Sequence, residues 1–303
     1  MPDCQPYRSK NNMKHILTIL ACICLLAGSF VFAFTPAGDQ LLSSFGHEPS
    51  TAAFLKITEA YTGDWQQYGE VFMRWHTSLI SRIFLLVITI VPAVFLLHFI
   101  IIGAKKFAHD GRRVYFFGLF CRIVHWIAAI SFTLLVVTGL MVIFGKIFGG
   151  GALVRGGRSI HLISAIVLAI TLVPMLLIWI KDMFPAPHDI TWMLIMGGYL
   201  SKQKKPVPAG KFNAGQKTWF WLATVGSGVM AYTGYILYAF QGTTDQLRIM
   251  MIIHNFLGAL MVAFFITHLY MSLFAIRGAI SSMITGYKPQ EEVEILHSRY
   301  KIT

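Results

Sequence analysis

The chain has 303 residues, of which 56% are apolar and 13% charged, with a formal net charge of +12 and a mean hydropathy of +0.64. A soluble domain carries roughly a quarter charged residues, whereas here the charges gather in short blocks between apolar runs of about 20 residues. This excludes a soluble domain of any size and an outer-membrane barrel, whose alternating strands are about ten residues long, and it implies an all-α integral membrane protein. The basic residues lie in loops beside apolar spans, as topology determinants do, so the positive charge does not indicate nucleic-acid binding.

The first apolar run, 16–34, follows Arg8, Lys10 and Lys14. It reads as either a cleaved signal peptide, with Val31-Phe32-Ala33 as a small-residue exit, or a retained anchor helix. Ile19-Leu20-Ala21-Cys22 only faintly matches a lipoprotein cleavage box, because the apolar run continues beyond the cysteine. The four cysteines, Cys4, Cys22, Cys24 and Cys121, form neither a Cys-x-x-Cys-His motif nor a zinc spacing, which excludes covalent c-type haem. An acidic stretch, 35–77, holds Asp39, Glu48, Glu59, Asp64 and Glu70. Five further runs follow at roughly 79–103, 123–145, 160–180, 218–240 and 250–276, each long enough to cross about 30 Å of hydrocarbon.

Charge assigns the sides. The N-terminal tail, the 104–122 and 181–217 loops and the C-terminal tail together hold 18 Lys and Arg, against 6 in 35–77, 145–159 and 241–249. The first set is therefore expected in the cytoplasm. Outside, Gly149-Gly150-Gly151 and Gly156-Gly157 suggest a flexible turn before a helix starting near Ser159. Inside, the 190–200 stretch is apolar but too short to span, and is expected along the membrane surface. No sequence repeat is evident.

The chemistry lies in the histidines. Within the last four spans, His125, His161, His254 and His268 are the side chains that titrate near neutral pH, and an ionisable residue inside a membrane is a functional candidate by default. Imidazole in an apolar bundle is a common ligand of haem iron. By topology, His125 and His268 lie near the inner face and His161 and His254 near the outer face. His254 and His268 are 14 residues apart, about 21 Å along one helix and within about 40° of the same face. The depths pair His125 with His268 and His161 with His254, so that each pair can clamp one haem and the two together form an electron path across the bilayer.

Arg122 and Arg158 each precede a histidine by three residues, where they could meet haem propionates. Gly139, 14 residues after His125, would admit a flat macrocycle to the backbone. Gly226, Ser227, Gly228 and Gly234 would allow close helix packing. His76 and His98 flank the 79–103 span, and either could substitute for one of the four. His15, His47, His109, His188 and His297 lie in tails or loops and are expected in solvent.

The segments Cys121-Arg122-Ile123-Val124-His125-Trp126, Arg158-Ser159-Ile160-His161, Lys211-Phe212-Asn213-Ala214-Gly215-Gln216-Lys217, Ile253-His254-Asn255-Phe256-Leu257-Gly258 and Thr267-His268-Leu269-Tyr270-Met271 occur in this order. Over roughly residues 115–287 they resemble the gamma subunit, a dihaem cytochrome b, of respiratory formate dehydrogenases. The histidine motifs are shared with cytochromes b of nickel–iron hydrogenases and thiosulfate reductases; the 211–217 stretch is more particular to formate dehydrogenases.

The resemblance implies two b-type haems, the outer on His161 and His254 and the inner on His125 and His268, and a quinone site lined by Asn213, Gly215, Gln216 and His268, with menaquinone the expected acceptor. It also implies an iron–sulfur subunit and a molybdenum or tungsten catalytic subunit on the periplasmic face of a bacterial cytoplasmic (inner) membrane. Formate oxidation would belong to those partners. The expected organisation is a signal or anchor (1–34), an acidic extracytoplasmic segment that contacts the partners (35–77), an additional span (78–110), the four-helix dihaem domain (111–287) and a cytoplasmic tail (288–303). The rivals are a cytochrome b serving a hydrogenase or related oxidoreductase and, from another class, a haem-free transporter or assembly protein. The transporter would need a midplane polar site or broken helices, and the sequence offers neither.

Overall fold

The computed structural model describes residues 69–108, 111–239 and 242–302. The first apolar run, most of the acidic stretch, and His15, His47 and His109 lie outside the described residues.

Five helices are long and apolar enough to cross a membrane: α1 (Glu70–Ile101), α2 (Leu119–Ile143), α3 (Gly151–Asp182), α5 (Ala214–Ala239) and α6 (Thr244–Ala275). Between α3 and α5 lies the short α4 (Pro187–Leu194), and after α6 come α7 (Ser281–Thr285) and α8 (Gln290–Leu296). A two-stranded antiparallel sheet joins β1 (Arg113–Tyr115) to β2 (Tyr287–Pro289), with Val114 opposite Lys288. The chain is a multi-pass membrane protein built as a helical bundle.

The helices begin earlier than hydropathy alone indicates, because polar and glycine residues are carried into their first turns. The α1 helix starts at Glu70 and passes through a π-helical turn, Trp75–Leu79, before its apolar body. The α3 helix starts at Gly151, so Gly156, Gly157 and Arg158 are helical instead of forming a turn before Ser159. The turn between α2 and α3 runs over residues 144–150, and the φ of 72°, 59° and 58° at Gly149, Gly150 and the first helical residue Gly151 favour glycine. Reciprocal caps start the last two long helices. Asn213 Oδ1 accepts from Gln216 N at 2.9 Å while Gln216 Oε1 accepts from Asn213 N at 3.0 Å; Thr243 and Gln246 repeat the exchange at 3.3 and 2.9 Å.

Large apolar side chains face outward along the spans, among them Ile130, Ile170, Val173 and Leu177. Small polar ones face inward: Ser131, Thr138, Ser164, Thr171, Thr224, Ser227 and Thr233 are buried. This is the packing expected where lipid is the solvent and helices associate through small residues. Most of these threonines satisfy themselves on the carbonyl one turn back, as in Thr171 to Val167 O and Thr224 to Phe220 O, both 2.7 Å. At mid-height, Ala128, Phe132, Leu168, Leu172, Met261 and Phe265 form an apolar layer shared by α2, α3 and α6. The α1 helix docks on another face of α6, through Ile80 and Phe84 against Ala259 and Val262 and through Phe95 stacked on Tyr270 at 4.4 Å.

The basic end carries a folded cap. Val114, Phe116, Phe117, Trp179, Met183, Phe212, Phe220 and Val293 form one cluster, and Phe107, Trp192, Val207, Ala209, Ala214, Ile276 and Leu296 another. The C-terminal segment is thus part of the fold. His297, expected in solvent, is 2% exposed and its Nδ1 lies 2.8 Å from Gly210 O. The sequence reading failed there because the 7 residues of α8 give too short an apolar pattern to reveal burial. The 190–200 stretch divides: Trp192 packs inward while Ile190, Met193, Leu194, Ile195, Met196 and Leu200 are exposed, giving the apolar outer surface expected of a segment lying against lipid.

Burial, followed by the Lys288 charge, pushes the pKa of His297 down to about 3. An unfolded histidine binds its proton near 6.5. Between these values the unfolded chain holds the extra proton, so the stability from neutral His297 is complete above about 6.5 and declines as pH falls towards 3, by up to about 1.4 kcal/mol per unit. The melting temperature of the solubilised protein should therefore fall more steeply with acid in the unaltered chain than in His297→Gln.

Candidate functional site

Four histidines occupy two heights in the bundle. On α6, His254 and His268 are separated by 14 residues, about 21 Å of helix. Towards the far end, His254 meets His161 of α3, with ring centroids 6.5 Å apart and planes inclined by 57°. Towards the basic end, His268 meets His125 of α2 at 6.3 Å and 56°. The two pairs are near-copies of one arrangement, separated by the mid-height apolar layer. The histidines are brought together as their depths in the sequence indicate.

Their surroundings differ. His161 Nδ1 is 2.9 Å from Thr138 Oγ1, and His254 Nδ1 is 2.9 Å from Thr233 Oγ1. In the other pair, His268 stacks on Trp219 at 5.4 Å, and His125 Nδ1 is buried without a hydrogen-bond partner. Glycines sit beside the two far-end rings. A Cβ at Gly139 would be 3.5 Å from His161 Cε1, and one at Gly234 would be 3.2 Å from His254 Cε1. Gly139 therefore makes room for the partner histidine's ring, and Gly234 has the same role, more tightly.

These pairs fit a planar metallocycle. Two imidazoles that share one metal ion at about 2.0 Å place their ring centroids roughly 6 Å apart, which both pairs meet. Among the described residues no three His, Cys, Asp or Glu side chains group into a metal site. A macrocycle that supplies four equatorial nitrogens requires two axial donors from the protein, and each pair offers two.

A model of the prokaryotic cytochrome b561 family matches residues 116–286. The chain belongs to that family. It is 27% identical over 190 residues to the nitrate-inducible formate dehydrogenase cytochrome b556(Fdn) subunit of Escherichia coli, covering 59% of this chain and 86% of the relative. It is 24% identical over 190 residues to the formate dehydrogenase cytochrome b556 subunit of Haemophilus influenzae, covering 59% and 78%. It is 25% identical over 191 residues to the cytochrome b556(fdo) subunit of Escherichia coli, covering 59% and 87%. Cytochromes b carry haem b, so the cytochrome b561 family supplies the chemical identity that the paired imidazoles fit.

The other candidate residues of this cytochrome b561 chain are placed as follows. Arg122 donates to Ile284 O at the basic end, one turn before His125, and Arg158 is exposed on α3. His98 is fully engaged, its Nδ1 2.6 Å from Tyr270 Oη and its Nε2 2.9 Å from Tyr199 O; it has no nitrogen left for a metal. His76 stacks on Phe72 at 5.6 Å. His188, expected in solvent, is largely buried, its Nε2 3.9 Å from Asp189 Oδ1. Asn213 is buried and serves as the α5 cap together with Gln216. Gly215 lies under Trp192, whose Cη2 would be 2.9 Å from an added Cβ. Sequence reasoning did not single out Thr138, Thr233 or Trp219. The signal was present as Thr138-Gly139 and Thr233-Gly234, which precede His161 and His254 by similar intervals.

Proposed function

We propose that the chain is the membrane-anchoring cytochrome b subunit of a formate dehydrogenase. In this role it passes electrons from an iron–sulfur partner, through two b haems, to a quinone. The observation that carries the reading is the pair of matched imidazole sites at opposite ends of α6. The similarity to formate dehydrogenase cytochrome subunits supports the choice of complex. No observation favours a hydrogenase or a transporter over it.

Bound haem would supply one-electron chemistry at each pair. The protein's part would be to hold the two imidazoles of each pair, to keep the two pairs at separate depths and to fill the space between them with apolar side chains such as Phe132, Met261 and Phe265. His161 and His254 would hold the outer haem, and His125 and His268 the inner one. Arg122 and Arg158 stand one helical turn from their histidines, where a propionate would find a charge-assisted partner. The excess of Lys and Arg in the loops at the His125–His268 end supports a cytoplasmic position for that end, which in a bacterium would be the inner face of the cytoplasmic membrane. The molybdenum or tungsten catalytic subunit and its iron–sulfur partner would then lie on the periplasmic face.

The quinone, with menaquinone as the working candidate, would lie at the start of α5, near Asn213, Gly215, Gln216 and His268. Asn213 Oδ1 and Gln216 Oε1 serve the cap, so the donors left there for a quinone carbonyl are the side-chain amide NH2 groups of Asn213 and Gln216 and leading backbone N–H groups of the helix. Asn213→Ala should retain both haems, lose about 1 kcal/mol with the cap and slow quinone reduction. Asn213→Asp, which keeps the cap, should recover the stability. Full quinone activity in Asn213→Ala would remove the site from this loop.

The decisive experiment is a reduced-minus-oxidised spectrum of the purified chain with a haem-to-protein ratio. The expected result is two low-spin b haems per chain. Apoprotein from a haem-competent host would overturn the reading.

A further inference from the structure

We infer that Thr138 and Thr233 are positioning residues that hold the two far-end histidines with Nδ1 protonated and Nε2 presented to iron, and thereby lower the reduction potential of that haem relative to its partner. The inference rests on the dihaem reading above and concerns residues that the reading does not use.

A threonine hydroxyl has one hydrogen to give. Thr138 Oγ1 donates it to Leu134 O at 2.6 Å, and Thr233 Oγ1 donates to Val229 O at 2.9 Å. Each oxygen can then only accept from the imidazole nitrogen 2.9 Å away, so Nδ1 of His161 and of His254 must carry the proton. This leaves Nε2 with its lone pair, the form that coordinates a metal. Thr138 and Thr233 are 3% and 1% exposed, so water does not compete for these bonds.

The device is built twice. In the α2–α3 hairpin a Thr-Gly pair on the first helix receives a histidine from the second, and the α5–α6 hairpin repeats the arrangement. The threonine fixes the nitrogen while the following glycine lets the ring approach, with a Cβ at either site within 3.5 Å of the ring.

The basic-end pair lacks it. His125 Nδ1 has no protein partner, and His268 is held by the face of Trp219. A hydrogen bond at Nδ1–H makes the opposite nitrogen a stronger donor, which favours ferric over ferrous iron. The far-end haem would therefore sit lower in potential, so that electrons arriving there run downhill to the basic end.

The test is redox potentiometry of the purified full chain, with haem content, for Thr138→Val, Thr233→Val, the double variant and the corresponding serine variants. The far-end step is assigned by its loss in His254→Ala. In the double valine variant the ferrous-to-ferric ratio of that haem at fixed potential should rise on the order of tenfold, an upward shift of about 59 mV for a one-electron couple. Each single variant should move it part of the way, the other haem should not respond, and serine should restore the original value. Loss of the far-end haem in valine but not serine variants would also support the inference. Unchanged potentials with two haems present, or equal haem loss in valine and serine variants, would overturn it alone. An unaltered chain without haem would overturn the dihaem reading as well.

Discussion

Replacing His254 by alanine should reduce the haem content from two per chain to one and leave the remaining haem on His125 and His268. The α6 helix supplies one histidine to each pair, so His268→Ala should remove the complementary haem and the double variant both. The loss should be local. After His254 is removed, Thr233 still donates to Val229 O, so no buried donor is orphaned. The mid-height layer of Phe132, Met261 and Phe265 also remains intact between the two sites. Quinol should still reduce the surviving haem, whereas electrons from the iron–sulfur partner should no longer enter. Pyridine haemochrome quantification of each variant checks the count, and two haems retained in His254→Ala would mean that another side chain completes the site. His98 could not take that place without giving up Tyr270 or Tyr199.

The parts of this architecture that were legible in the sequence follow from one-dimensional rules. Helix rise converts the interval from His254 to His268 into depth, and the alternating direction of successive spans orders the other two histidines, so the pairing of His161 with His254 and of His125 with His268 needs no three-dimensional information. The contacts between hairpin partners were not legible. Gly139 was expected to admit a macrocycle, and its contact with the ring of His161 was not foreseen, because helix phase tells which residues share a face but not which neighbour fills it. Thr138 and Thr233 look like ordinary interface residues of a lipid-embedded bundle; their significance appears only when a hydroxyl's single hydrogen has been traced to its carbonyl. The basic-end cap was illegible for a further reason. His297 and Glu292 are buried where segments far apart in sequence meet, as in the contact of His297 with Gly210 O and the pairing of Val114 with Lys288, and short polar segments carry no periodicity that would foretell it. Hydropathy also placed the helix starts late, since Gly151, Gly156 and Gly157 look like turn residues yet lie in α3.

A large loss of stability outside the histidine pairs is expected from Lys217→Met. Lys217 Nζ meets Asp189 Oδ2 at 2.7 Å, with side-chain exposures of 10% and 11%. The same carboxylate oxygen accepts from Ala186 N at 2.7 Å and so caps α4, while Asp189 Oδ1 is buried without a hydrogen bond. Removing the ammonium would strand a largely buried carboxylate, at a cost of up to about 3–5 kcal/mol. The double variant Asp189→Asn with Lys217→Met should be less destabilised than Lys217→Met alone, because the amide keeps an acceptor for Ala186 N without burying a charge. The functional effect follows from what the pair fastens: α4 carries Trp192, which lies against Gly215 in the first turn of α5. Loosening α4 should therefore slow quinone reduction while the far-end histidine pair, at the opposite end of the bundle, keeps its haem. Thermal melts of the solubilised single and double variants, read as a double-mutant cycle, check the coupling. Additive single-variant losses would show that the ion pair contributes nothing beyond its separate members.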